Sequence, residues 1–183
     1  MINMNKIEIP ISKTKISLIL VGALIFVILG VLFILTPDKF TTTFFRSPQT
    51  IMVVGTTAVL FFGAAGIYGL RKLFDKSIGL TIDENGITDN SNASSVGLIE
   101  WNDIVEIKTE QVMSTRFLLI LISDPDKYLE RVNGFKRKLM QGNMKMYGTP
   151  LSITSNALRY NFDDLERLVK SRLIEKQERM PNR

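Results

Sequence analysis

The stretch ISLILVGALIFVILGVLFIL, residues 16–35, decides the class of this protein. It contains no charged residue and no proline. A helix that rises about 1.5 Å per residue covers about 30 Å over this length, the thickness of the hydrocarbon core of a bilayer. A signal peptide has a shorter apolar region that ends near small residues, whereas this run ends in Leu35-Thr36-Pro37-Asp38-Lys39. The stretch therefore predicts an uncleaved membrane-spanning helix.

A second apolar stretch, IMVVGTTAVLFFGAAGIYGL, occupies residues 51–70 and is also uncharged. It is rich in glycine and alanine, which let helix backbones approach closely in lipid. Ala65 and Gly69 have small-xxx-small spacing, and Gly22 and Gly30 lie two turns apart on the first stretch. We interpret these residues as the seam of a transmembrane helical hairpin. The same pattern also suits a homodimer, and the sequence does not separate the two.

Lysine and arginine residues are distributed unequally around the two stretches. The loop between them carries only Lys39 and Arg46, whereas six positive residues flank the outer ends: Lys6, Lys13, Lys15, Arg71, Lys72 and Lys76. Because positive charge stays on the cytoplasmic side, we expect a multi-pass protein of the inner (cytoplasmic) membrane with both termini in the cytoplasm. The predicted units are an N-terminal transmembrane hairpin, residues 1–76, with spans at about 16–35 and 51–70, and a cytoplasmic domain, residues 77–183.

The composition excludes several kinds of chemistry. The chain contains no cysteine and no histidine, which removes disulfides, thiol nucleophiles, histidine catalysis and metal sites built from thiolate or imidazole. The formal charge of +5 suits nucleic acid or anionic lipid, but in a membrane protein it also reflects the residues that set topology. We expect a protein that is not an enzyme, uses no cofactor or metal, and binds no nucleic acid.

After the second stretch, apolar residues alternate with polar ones, as is typical of β-strands. Residues 78–82 lead into the turn DENG, residues 83–86, whose Asn-Gly favours a tight hairpin. A loop rich in asparagine and serine, residues 89–95, precedes further strands within residues 96–107. The run RFLLILIS, residues 116–123, is almost continuously apolar and predicts a central, buried strand.

Helical patterns dominate the rest of the chain. Asp124 and Pro125 are typical of a helix start, and the apolar residues that follow at helical spacing are Tyr128, Leu129, Val132, Phe135, Leu139 and Met140. Gly134 lowers helix stability by about 1 kcal/mol relative to alanine, so we expect a break there. Residues 151–153 predict one more short strand. Asn161 is typical of an N-cap, and the helix after it has an apolar stripe of Phe162, Leu165, Leu168, Val169 and Leu173.

Four segments together resemble a known family. They are LTIDENGI, LIEWNDIVEI, FLLILISDP and FDDLERLVKSRL. They resemble the bacterial pleckstrin-homology-like (PH-like) domain of small bacterial inner-membrane proteins with two N-terminal transmembrane helices. The resemblance implies a membrane-anchored α+β fold, in which a bent antiparallel sheet with a helical insertion is capped by a C-terminal helix. It also implies a binding or scaffolding module rather than an enzyme.

Several acidic residues and the single tryptophan are candidate site residues. Asp83, Glu84 and Asp89 lack the spacing of an EF-hand calcium loop, so a hairpin turn is the better interpretation. No motif fixes the geometry of the acidic residues between positions 100 and 110, which we interpret as solvated strand edges. Trp101 is a possible ligand platform, but a large aromatic residue flanked by apolar ones is more typical of a domain core.

A basic helix face is the one functional feature that we single out. It comprises Lys127, Arg131, Lys136, Arg137 and Lys138, on the side of the helix opposite the apolar stripe. In a domain held close to an anionic leaflet, each such residue contributes about 1 kcal/mol within a Debye length. The alternative is a solvated helix face without a partner.

Two classes of function follow. The first is a non-catalytic integral membrane protein whose cytoplasmic PH-like domain binds a protein partner or anionic lipid headgroups at the membrane surface. The alternative is an immunity protein that neutralises a membrane-acting toxin or effector. A membrane-bound hydrolase would need a cluster of buried polar residues, which the sequence does not indicate. Homo-oligomers are compatible with either class.

Overall fold

The two apolar stretches form the long helices α1, Lys13–Leu35, and α2, Pro48–Phe74. The computed structural model describes residues 6–41 and 47–179, so Arg46 of the connecting loop lies outside the described residues. Both helices are long and apolar enough to cross a membrane. Apolar side chains such as Leu18, Phe61 and Ile67 are exposed on them. Because exposed apolar surface is unfavourable in water, this surface suggests membrane association.

Small residues allow α1 to pack along α2. The two backbones approach so closely at Gly30 and Gly55 that a Cβ atom on Gly30 would lie 2.8 Å from the carbonyl oxygen of Gly55. Further along, the rings of Phe26 and Phe62 stack with their centroids 4.4 Å apart. Packing between backbones and aromatic rings is the kind of contact that holds helices together in lipid.

The predicted seam is correct for two of its residues and wrong for two. Gly30 lies in the seam, and a Cβ on Gly69 would meet the side chain of Leu20 at 2.8 Å. A Cβ on Gly22 would meet no described atom within 4 Å, and Ala65 is exposed. Spacing alone selects small residues without specifying which side of the helix faces the neighbour.

A strand that precedes α1 belongs to the β-rich unit. Strand β1, Ile7–Pro10, pairs antiparallel with β2, Ile78–Ile82, and places Ile9 opposite Leu80. The described residues before Lys13 therefore form one unit with those after Lys76, and the residues between them form the other. The predicted hairpin unit begins at residue 1, whereas the described residues before Lys13 belong to the β-rich unit, because residues 7–10 supply the first strand of its sheet.

Two antiparallel sheets make up the β-rich unit. The first has the order β1-β2-β3-β4, where β3 is Gly86–Asp89 and β4 is Gly97–Glu100. The second has the order β5-β6-β7, with β5 at Ile104–Val112, β6 at Thr115–Ile122 and β7 at Leu151–Ile153. This confirms the predicted hairpin of β2 and β3 and the predicted central strand β6.

Three helices complete this unit. Helix α3, Pro125–Leu129, is capped by the side chain of Asp124, which accepts hydrogen bonds from two backbone N–H groups. Helix α4, Gly134–Tyr147, begins at the glycine where a break was predicted, and Gly134 has a φ of +58°, which favours glycine. Helix α5, Phe162–Glu178, is capped by Asn161 as predicted.

One apolar core is shared by both sheets and by the helices. It includes Trp101, whose indole N–H donates a hydrogen bond to the carbonyl oxygen of Asp83 at 2.8 Å, so the prediction of a core residue is confirmed. Four residues of the predicted α5 stripe are buried, and Leu168 is half-buried at its border. The predicted stripe on the preceding helix is wrong for Phe135 and Leu139, which are exposed.

Candidate functional site

Charged side chains connect α3 to the loop after β4. Lys127 Nζ lies 2.6 Å from Asp103 Oδ2 and 3.0 Å from Glu100 Oε1. Arg131 donates hydrogen bonds to the carbonyl oxygen of Leu98 at 2.8 Å and to Glu100 Oε1 at 3.3 Å. Two of the five predicted cations are therefore held by acidic groups of their own domain.

Tyr128 is fully buried at the centre of this group. Its hydroxyl donates to Asp103 Oδ2 at 2.6 Å and accepts from the backbone N–H of Glu100 at 3.1 Å, while the guanidinium of Arg131 lies 4.4 Å above its ring. Burial and then the hydrogen bond to Asp103 raise the pKa of Tyr128 to about 12. Burial acts to raise the pKa of Asp103, but hydrogen bonds from Lys127 and Tyr128 outweigh it and lower that pKa.

This arrangement does not suit acid–base catalysis at neutral pH. A general acid or base works best when its pKa lies near the operating pH, whereas these shifts leave Asp103 ionised and Tyr128 protonated. We call the five side chains Glu100, Asp103, Lys127, Tyr128 and Arg131 the α3 brace, because they fix α3 to the end of β4.

The other three predicted cations lie on α4. Arg137 and Lys138 are exposed and Lys136 is half-buried. Within the described residues, none of the three forms an ion pair, and neither does Lys145 one turn from the end of the helix. Their charges are therefore available to an external anionic group. The predicted basic face divides into the paired cations of the α3 brace and the unpaired cations of α4.

Exposed apolar side chains accompany these cations, which the sequence interpretation missed. Phe135, Leu139 and Met146 are 74%, 36% and 69% exposed, and their spacing of four and seven residues places them on one side of α4. Met140 is the buried residue of this helix. The sequence does contain a signal for this exposed row. Apolar residues at positions 135, 139, 140, 144 and 146 are more than one buried face of the helix needs.

Two of the acidic candidates, Asp83 and Asp89, hold turn and loop backbone in place through hydrogen bonds. Asp83 Oδ1 accepts hydrogen bonds from the backbone N–H groups of Asn85 and Gly86 at 2.8 and 3.3 Å. Buried Asp89 accepts from the backbone N–H of Ser91 and from the hydroxyl of Ser95. Across residues 6–41 and 47–179, no group of acidic side chains is placed to hold a metal ion. This geometry agrees with the interpretation of residues 83–86 as a turn.

No protein-family model, curated protein or solved structure matches the chain. The function is therefore argued from the geometry of these residues and from the connection between the two units.

Proposed function

We propose that this chain is a non-catalytic integral membrane protein whose β-rich domain binds an anionic lipid surface or an acidic protein partner beneath the membrane. This proposal rests mainly on where the apolar helices lie in the chain, between the neighbouring strands β1 and β2 of one sheet. The domain is thereby tied to both ends of the helical pair. A domain tethered in this way encounters mainly the bilayer surface on its own side.

The pairing of β1 with β2 also bears on topology. If α1 and α2 both cross the bilayer, the segments before and after them must emerge on the same side for the two strands to pair. We assign that side to the cytoplasm of a bacterial cell, because six flanking positive residues oppose two in the loop. Reporter fusions after the last residue and at Asp38 test this assignment, and an external C-terminal reporter would refute it.

We further propose that the domain is PH-like. Antiparallel sheets of four and three strands, with a C-terminal helix that contributes Leu165 and Val169 to the shared core, support this proposal. A helical insertion between β6 and β7, formed by α3 and α4, carries the unpaired cations. The proposed role follows from that placement, because binding residues lie mostly on exposed segments that a rigid scaffold positions.

Apposition of α4 to anionic lipid can be measured by energy transfer. The chain has no cysteine, so Gln141→Cys carries a single donor dye in the intact protein, reconstituted in nanodiscs with acceptor-labelled headgroups. Transfer is expected to be higher in anionic discs than in neutral ones and to fall as salt rises, because the Debye length shortens.

Charge-reversal variants give this experiment its control. Lys138→Glu with Lys145→Glu is expected to abolish the difference between anionic and neutral discs. Lys108→Glu with Arg159→Glu changes the net charge equally at exposed positions outside α4 and is expected to preserve it. Equal transfer in both disc types for the parent protein would refute the proposed lipid surface.

A further inference from the structure

Helix α4 has two different apolar sides. One side carries Met140 and is buried in the domain core. The other carries Phe135, Leu139 and Met146, which project from the domain. A soluble surface helix normally has one apolar side and covers it with its own domain. The second side is therefore left without a partner inside the β-rich unit.

Cations border this second side. Lys138 and Lys145 are seven residues apart and so lie on one line along α4, about 90° around the axis from the row of Phe135, Leu139 and Met146. Both lysines are exposed, and neither forms an ion pair among the described residues. An apolar row with lysines beside it is the pattern of helices that lie in the plane of a membrane interface.

The connection to the apolar helices keeps the β-rich domain, of which α4 is a part, tethered to a bilayer. Only Ile11 and Ser12 separate β1 from α1, and residues 75–77 separate α2 from β2. Three extended residues reach at most about 10 Å. The domain is thus held at two points by short connectors, so contact of the domain with lipid needs no encounter in solution.

We propose that Phe135, Leu139 and Met146 enter the interfacial region of an anionic bilayer while Lys138 and Lys145 contact its headgroups. This inference rests on the proposed function and specifies how the domain meets the membrane. Apolar side chains at the boundary between headgroups and acyl chains leave water, and each lysine near an anionic surface strengthens the contact about fivefold. An apolar row with lysines beside it therefore matches a bilayer that has an apolar interior and an anionic surface.

The size of the surface favours lipid over a protein partner. A stable protein interface buries about 800 Å² on each side and has a hydrophobic centre with a polar rim. Three separated apolar side chains on one helix supply much less than this. A bilayer needs no shape complementarity, so a single row of apolar side chains suffices.

Spin labels at single cysteines test the proposal in the full-length protein. Leu139→Cys and Met146→Cys place nitroxides on the proposed side, and Gln141→Cys places one on exposed helix surface about 140° away. In nanodiscs with anionic lipid, the labels at positions 139 and 146 should be more accessible than the label at position 141 to oxygen, which partitions into lipid. They should be less accessible than that label to an aqueous nickel chelate. The label at position 141 should remain aqueous.

Two further variants separate depth from charge. Phe135→Ser should make the labels at positions 139 and 146 nearly as accessible to the aqueous chelate as the label at position 141. The same substitution should leave the energy transfer measured from position 141 largely unchanged. Lys138→Glu with Lys145→Glu should remove both signals together. Trp101 fluorescence verifies that each variant is folded, because this single tryptophan lies in the core.

The possible failures are distinguishable. Labels at positions 139 and 146 that match position 141 in anionic discs would overturn the insertion and leave a protein-docking face as the remaining use of the row. If energy transfer still depends on anionic lipid in that case, the proposed function stands without insertion. Absence of both signals in the parent protein would refute the insertion and the proposed lipid surface together, leaving the acidic protein partner of the proposed function.

Discussion

Replacement of Ile9 by alanine should destabilise a domain whose next strand begins only at Ile78, beyond both long helices. Ile9 is 2% exposed in the shared core and lies opposite Leu80 in the β1–β2 pair. The substitution removes three carbon atoms, each of which contributes about 0.8 kcal/mol when buried. The cavity left behind adds to this loss, so the free energy of unfolding should fall by about 2 to 5 kcal/mol.

The assay uses the single tryptophan, which lies in the β-rich unit. Urea unfolding of the full-length protein in detergent, followed by Trp101 fluorescence, reports on the domain rather than on α1 and α2, which contain no tryptophan. Ile7→Ala, at a half-buried position of the same strand, should cost less than Ile9→Ala, and Ile19→Ala, at an exposed position of α1, should leave the midpoint unchanged. A wild-type midpoint for Ile9→Ala would refute the assignment of β1 to this sheet.

Three further outcomes follow from packing, backbone conformation and charge. Leu165→Ala, at a fully buried position of α5, should lower the unfolding free energy by about 2 to 5 kcal/mol in the same urea assay, and half-buried Leu168→Ala by clearly less. Met113 is 91% exposed with a φ of +53°. Met113→Gly relieves about 1 to 2 kcal/mol of strain, offset by about 0.4 to 1 kcal/mol of unfolded-state entropy, and should raise the thermal midpoint slightly. The folded-state pKa of Asp103 lies below its ordinary value of 3.8, so ionised Asp103 stabilises the fold above that value, and this stabilisation is lost as pH falls through the folded pKa. In Asp103→Asn, the free energy of unfolding should fall less steeply as the pH is lowered below this value, as measured by urea unfolding at a series of pH values, and an unchanged slope would contradict the α3 brace.

Elements whose partners lie close in sequence were predictable. Strand β2 returns through the Asn-Gly turn into β3, and residues 116–123 were correctly assigned to a central strand because almost every side chain is apolar. Strand β1 was missed, since its alternation covers only Ile7, Glu8 and Ile9 before Pro10. Its partner is separated from it by two long helices, and no local signal identifies a partner at that distance.

The candidate site was predictable in residue types but not in partners. Lys127 lies in α3 and Arg131 in the turn after it, while their acidic partners come from an earlier segment, and helical spacing carries no information about that contact. The exposed apolar row was missed for a geometric reason. The break at Gly134 reorients α4 relative to α3, so Phe135 and Leu139 do not continue the stripe that begins at Tyr128.

The insertion of α1 and α2 between two paired strands also changes the cost of closing the sheet. The pair Ile7 and Ile82 is separated by 82 − 7 = 75 residues, whereas Ile82 and Ile87 are separated by 87 − 82 = 5. For a flexible chain, closing the longer loop costs about 2.4 kcal/mol more in entropy, from (3/2)RT ln(75/5). The helices also pack near the ends that lead into β1 and β2, where a Cβ on Gly69 would lie 2.8 Å from the side chain of Leu20. If the helices pack before the strands pair, β1 is already close to β2, and the packed helices bear most of that entropic cost.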